Sequence, residues 1–116
     1  MELNKNKFQE YIRNEQSERF NTAVAELPGP VDLENCNLSN QNLRKFNLRT
    51  ANLRNAYLKM ADLRGVDLSE ACLEGASINR AHISGVFFPR NLDAQEIRLS
   101  LEHGTRMRTG ACQQPL

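Results

Sequence analysis

Tryptophan is absent from this chain, and aromatic residues make up only 6% of its 116 residues. The basic residues have no aromatic stacking partners interleaved among them, so nucleic acid is a disfavoured partner. No apolar run approaches the length of a membrane span, and no membrane contact is expected. The beginning, rich in Asn, Lys and Glu, has no apolar stretch of the kind a signal peptide carries, so none is expected. An excess of one charge sign is missing too. Fifteen Lys and Arg against 14 Asp and Glu leave +1, which gives no global pull toward nucleic acid or an anionic membrane. There is no Gly-rich phosphate loop, no nucleophile beside a base and no carboxylate pair in a plausible cleft, so neither an enzyme nor a cofactor is expected. Cysteines number only three, with no metal-ligand or disulfide spacing among Cys36, Cys72 and Cys112. A reducing cytoplasm is the expected location.

What is present is a period. From Val31 to Arg90 the chain repeats every five residues, with large apolar centres at Leu33, Leu38, Leu43, Leu48, Leu53, Leu58, Leu63, Leu68, Leu73, Ile78, Ile83 and Phe88. Two residues before most centres stands a small or apolar residue, as at Val31, Cys36, Ala51, Ala56 and Ala61. Asp or Asn usually lies between. A five-residue period fits neither a helix nor a strand, so the chain must turn once per unit to keep both apolar positions inside. A four-sided coil of twenty residues per turn meets that need, and sixty repeat residues give three turns. With turns spaced like neighbouring strands, that coil is about 14 Å tall. Its interior is packed, so any function belongs to its outside.

Ala51-Asn52-Leu53-Arg54-Asn55 and Ala61-Asp62-Leu63-Arg64-Gly65 resemble the A-(D/N)-L-x-x unit of the pentapeptide-repeat family. The resemblance covers residues 31–90 and implies an all-β solenoid: a right-handed quadrilateral parallel β-helix of about three coils, with an N-terminal helix and a short C-terminal helix as caps. Function is not implied by the fold. The best-understood members protect DNA gyrase by mimicking DNA, which needs a long, strongly negative rod. A short coil with a basic middle departs from that pattern on both counts.

One domain is expected over 1–116. Its parts are a helical N-terminal cap (1–30), the repeats (31–90), a C-terminal cap helix and extension (91–108), and a flexible tail (109–116). Phe8, Tyr11, Ile12, Phe20, Val24 and Leu27 form one helical stripe, broken near Ser17, and Pro28-Gly29-Pro30 stops it. Asp93 and Glu96 have the spacing of a capping box for a helix over 93–103, with Gly104 just past its end. Phe46, too large for a mid-stack corner, should meet the N-terminal helix, and Gln41 beside it should satisfy backbone groups.

Units four apart share an outer face, so the outside reads as columns. Glu34, Arg54 and Glu74 form an alternating ladder on the first face. Arg44, Lys45, Arg49, Arg54, Lys59 and Arg64 form a basic belt about one turn deep, offset only by Asp62 on its densest face. Of these, Arg44, Lys45, Arg49, Lys59 and Arg64 are candidate partner-binding residues, together with outward Tyr57 and Met60. Asp62 and His82 should share a stacked hydrogen bond, and Phe87 should touch the C-terminal cap. The expected function is a non-catalytic protein-interaction or scaffold module whose partner is another protein with an acidic surface. Gyrase protection and weak nucleic-acid binding through the belt are the alternatives. A homodimer through an end cap is compatible with this layout.

Overall fold

The computed structural model describes residues 4–110 and Cys112. Its regular elements are three helices: α1 (Lys5–Arg13), α2 (Ser17–Ala25) and α3 (Ala94–His103). Asn4 caps α1 by accepting from the Lys7 N–H at 3.1 Å. Between α1 and α2 the chain turns through Glu15, at φ 54°.

The expected all-β solenoid is corrected here. Among the described residues there is no β-strand and no sheet, so the chain is not the right-handed quadrilateral parallel β-helix that the resemblance implied. The repeat region instead holds seven isolated parallel bridges, each between residues twenty apart, from Asp32 with Asn52 to Asp67 with Phe87. The reason is local. In seven units the Asp or Asn before the centre accepts from the main-chain N–H two residues on, as Asp32 does from Glu34 at 3.0 Å and Asn52 from Arg54 at 3.1 Å. Two residues after the centre, the chain often enters the left-handed region, as at Asn35, Asn40, Asn55 and Gly65. The turn therefore begins as soon as the bridge is made, and no second ladder residue can follow.

Stacking nonetheless holds along the chain. The Leu33 N–H donates to Asn52 O at 2.9 Å, and the Leu53 N–H donates to Cys72 O at 2.9 Å. The centres Leu33 through Ile78 are buried, with Ala51, Ala56, Ala61 and Ala76 under the corners. Burying each Leu is worth roughly 1.5–3 kcal/mol. Ile83 and Phe88, expected as equals of the other centres, are only half-buried, because the last turn is incompletely covered.

Phe46 lies under the first turn with its ring edge-on to Phe20, centroids 5.1 Å apart, and Phe20 meets Phe8 in the same way at 5.5 Å. Beside Phe46 the twenty-residue bridge between Asn47 and Asp67 is missing among the described residues. The Asn47 N–H turns instead to Asn21 Oδ1 of α2, at 2.7 Å. Gln41 bonds through its main chain alone, accepting from the Asp62 N–H at 2.9 Å. The Asp93 side chain makes no capping bond; α3 simply begins after it, and Glu96 is committed elsewhere. Gly104, at φ 74°, ends α3 as its position suggests.

The chain beyond α3 corrects a further expectation. A flexible tail was expected over 109–116, yet Thr109 is buried and Cys112 is disulfide-bonded to Cys72. Residues 111 and 113–116 of that tail lie outside the described residues. Residues 104–110 run as a strap over the last turn. Met107, fully buried, accepts from the Gly75 N–H at 2.7 Å and donates to Ala76 O at 2.9 Å.

Candidate interaction surface

The outward residue just after each centre is aimed by the turn beneath it, so the outer side chains are held by main-chain geometry. The structure divides the basic belt by what its members touch. Arg64 is occupied: its Nε and one terminal nitrogen grip the Asp62 carboxylate at 2.9 and 2.8 Å. That two-point hydrogen bond holds the Asp62 carboxyl far below its ordinary range and raises the Arg64 guanidinium. Asp62 does not reach His82 with its side chain, so the expected stacked bond is absent; the two residues meet only through a main-chain bridge. Arg49 pairs with Glu70 one turn on. Arg54 bonds Asn52 Oδ1 at 3.1 Å rather than a ladder carboxylate.

The charge ladder is likewise undone. Glu34 accepts from the Asn52 amide at 3.2 Å, and Glu74 accepts both the Thr109 N–H and its hydroxyl at 2.8 Å. Arg44, Lys45 and Lys59 are left with no ion pair among the described residues. Arg44 and Lys45 are exposed beneath Arg64 on the third column, where Lys45 O accepts from the Asn21 amide at 2.9 Å.

Tyr57, Lys59 and Met60 lie together on the second column. Tyr57 is 44% exposed and Met60 47%, both large apolar groups in solvent. Arg106 of the strap donates to Tyr57 Oη at 2.8 Å and lies 5.5 Å from its ring centre. Sequence reasoning missed Arg106, because nothing local brings a residue 49 positions away onto that ring. Phe87, expected against the C-terminal cap, is 65% exposed, so most of its ring lies in solvent. The candidates thus fall into two groups. Tyr57, Lys59 and Met60 share one column, and Arg44, Lys45 and Arg64 share the next, while Arg49 stands apart on the fourth.

An open cleft of about 870 Å³ runs along the corner where the repeats begin and end, walled by Pro28, Pro30, Ser69, Ala71 and Pro89. None of the sequence candidates lines it. Its charged members are Glu70, which pairs with Arg49, and Arg90, a set without a nucleophile and its base. Among the described residues no group of three or more His, Cys, Asp or Glu is placed to hold a metal ion. No helix among them is long and apolar enough to cross a membrane.

The pentapeptide-repeat family model matches residues 32–69 and 47–85, with eight copies of the repeat. The coiled segment belongs to the pentapeptide-repeat family. No curated protein and no solved structure gives a significant match. The matched repeats carry every candidate residue named above, from Arg44 to Arg64, so the candidate surface is built on the repeats themselves, with Arg106 on Tyr57 and Asn21 on Lys45 reaching it from outside.

Proposed function

We propose that the protein is a rigid, non-catalytic interaction module that docks a protein partner through Tyr57, Lys59 and Met60, with Arg44 and Lys45 reading acidic groups at the edge of the contact. The observation that carries this is the exposure of Tyr57 and Met60 beside an unpaired Lys59, on a scaffold whose neighbouring centres are fully buried. A surface already fixed by its turns loses little entropy on binding. Exposed aromatic and methionine side chains ringed by cations suit the centre of a contact. The gyrase-protection alternative gains nothing from this surface, whose free charges are cationic. Nucleic-acid binding gains little, because Arg49 and Arg64 are already held by carboxylates. A cytoplasmic setting fits this reading with the Cys72–Cys112 bridge open.

The test is affinity capture from cells that make the protein, comparing wild type with Tyr57→Ala/Met60→Ala and with Arg44→Glu/Lys45→Glu. The apolar pair should abolish capture of a shared partner. The charge reversal should weaken it, and raising salt from about 0.05 to 0.5 M should weaken it further, because exposed attraction is screened beyond a Debye length. Identical capture by both variants at both salts would overturn the reading.

A further inference from the structure

The first column carries Asp32, then Asn52, then Cys72 at its outward bridging position. Asp32 and Asn52 each lock the following turn with a side-chain bond, which Cys72 gives up. Its sulfur is spent instead on Cys112, across 40 residues of chain with Cα atoms 5.6 Å apart. Cys72 is 1% exposed, sealed under the strap, whereas Cys112 is half-buried and open to attack. Apart from this bond the strap hangs on a few contacts. Met107 pairs with the edge at Gly75 and Ala76, Thr109 bonds Glu74, Arg108 bonds Glu96, and Arg106 rests on Tyr57. The only other cysteine, Cys36, is buried in the core, and burial pushes its thiol up to about 11, so it is a poor competitor in thiol exchange.

We propose that the Cys72–Cys112 disulfide is a redox latch: a dithiol reductant opens it and releases the 104–110 strap, uncovering the Gly75–Ala76 edge of the last turn and freeing Tyr57 from Arg106. The reductant's thiolate bonds to Cys112 Sγ, the Sγ–Sγ bond breaks, and Cys72 leaves as a thiolate that takes up a proton. The reductant's second thiol then displaces Cys112, which is protonated in turn. Two electrons and two protons pass to the protein, and the reductant becomes a disulfide. The freed edge presents the Gly75 N–H and Ala76 C=O in the geometry that accepts an extended segment.

Amide hydrogen exchange by NMR tests the latch on the full chain, oxidised, after reduction with dithiothreitol, and as Cys112→Ser. Exchange at Gly75 and Met107 should quicken by about tenfold or more in both the reduced and the variant protein, with Leu43 and Leu63 unchanged. Thiol labelling after reduction should reach Cys72 and Cys112 and spare Cys36. Unchanged exchange at Gly75 and Met107 in the reduced protein would overturn the latch, and so would free Cys72 and Cys112 thiols in protein purified without reductant. Loss of protection across the whole core on reduction would also overturn it, because the bond would then be a fixed staple.

Discussion

The two ends of the coil face the same problem and meet it unequally. A terminal turn exposes apolar centres and a row of main-chain donors and acceptors together. At the N-terminal end both needs are met by helices. Phe8, Ile12, Phe20 and Ala23 are buried against the core. Lys5 Nζ donates to Glu34 O at 2.8 Å, and the Asn21 side chain joins Lys45 O and the Asn47 N–H. The C-terminal end is closed over only half its perimeter. Ser100 Oγ accepts from the buried Ile78 N–H at 2.9 Å, Leu101 O accepts from the Arg80 N–H, and Met107 pairs with Gly75 and Ala76. On the other two columns Ile83, Val86 and Phe88 stay half-buried and Phe87 is exposed. The N–H groups of Leu43 and Leu63 bond to the next turn, while the equivalent Ile83 N–H has no partner among the described residues. Two helices cover the first turn, whereas at the last turn α3 and the strap cover only the columns they run along.

This asymmetry sets the largest expected effect. Phe20→Ala removes a ring that touches both Phe8 and Phe46 and is fully buried, so it should cost about 3–5 kcal/mol. Phe88→Ala, at a half-covered corner, should cost about 1–2 kcal/mol, because less apolar area leaves water there on folding. Urea unfolding of both variants, with m held equal to wild type, measures the difference. Equal costs would mean that the last corner is packed as tightly as the first.

The centres and their burial were legible because a five-residue period leaves no other way to hide a Leu in every unit. Ladder strands were expected by analogy and do not form, since the Asp32, Asn52 and Asp62 side chains bend the chain immediately after each bridge. Candidates Arg44, Lys59, Tyr57 and Met60 were legible as outward positions. Their contacts were not, because those depend on residues far along the chain, such as Arg106 on Tyr57. Cys72 looked inert for the same reason: its partner, Cys112, stands 40 residues away in a tail with no period of its own.

Acid should separate the ends next. The Glu96 carboxyl lies below its ordinary value of 4.5, chiefly because the Arg108 side chain donates to it. A depressed carboxyl contributes stability that is fully present above 4.5 and lost as pH falls through the folded value. Glu96 ties α3 to the strap, so lowering pH below 4.5 should loosen the C-terminal end first. Asp62 titrates in the same direction, but its partner Arg64 is two residues away and no distant contact depends on it. At the N-terminal end, the Asn21 bonds to Lys45 O and the Asn47 N–H do not depend on a carboxylate. Protection of the Arg108 amide, which Glu96 accepts at 3.0 Å, should fall below pH 4.5, measured against the intrinsic exchange rate at each pH, while that of the Asn47 amide holds. A parallel loss of protection at both amides would place the acid-sensitive contacts elsewhere.

The smallest effect tests whether the ends also differ in backbone fitness. Asn40, Met60 and Arg80 occupy one corner in successive turns, at φ 64°, 60° and 56°. A side chain in this left-handed region costs roughly 1–2 kcal/mol, and Asn tolerates it because its short polar group bonds locally. The first turn therefore has a suited residue at this corner and the last turn does not. Arg80 is exposed, and its one bond here, N–H to Leu101 O at 2.9 Å, is a main-chain bond that any residue but Pro keeps. Arg80→Asn should accordingly stabilise the protein by about 0.5–1 kcal/mol, and Asn40→Arg should destabilise it by a similar amount. Thermal unfolding of the two variants should shift by a few degrees in opposite directions. If Arg80→Asn leaves the transition where it was, backbone strain does not distinguish the ends, and their inequality rests on cover alone.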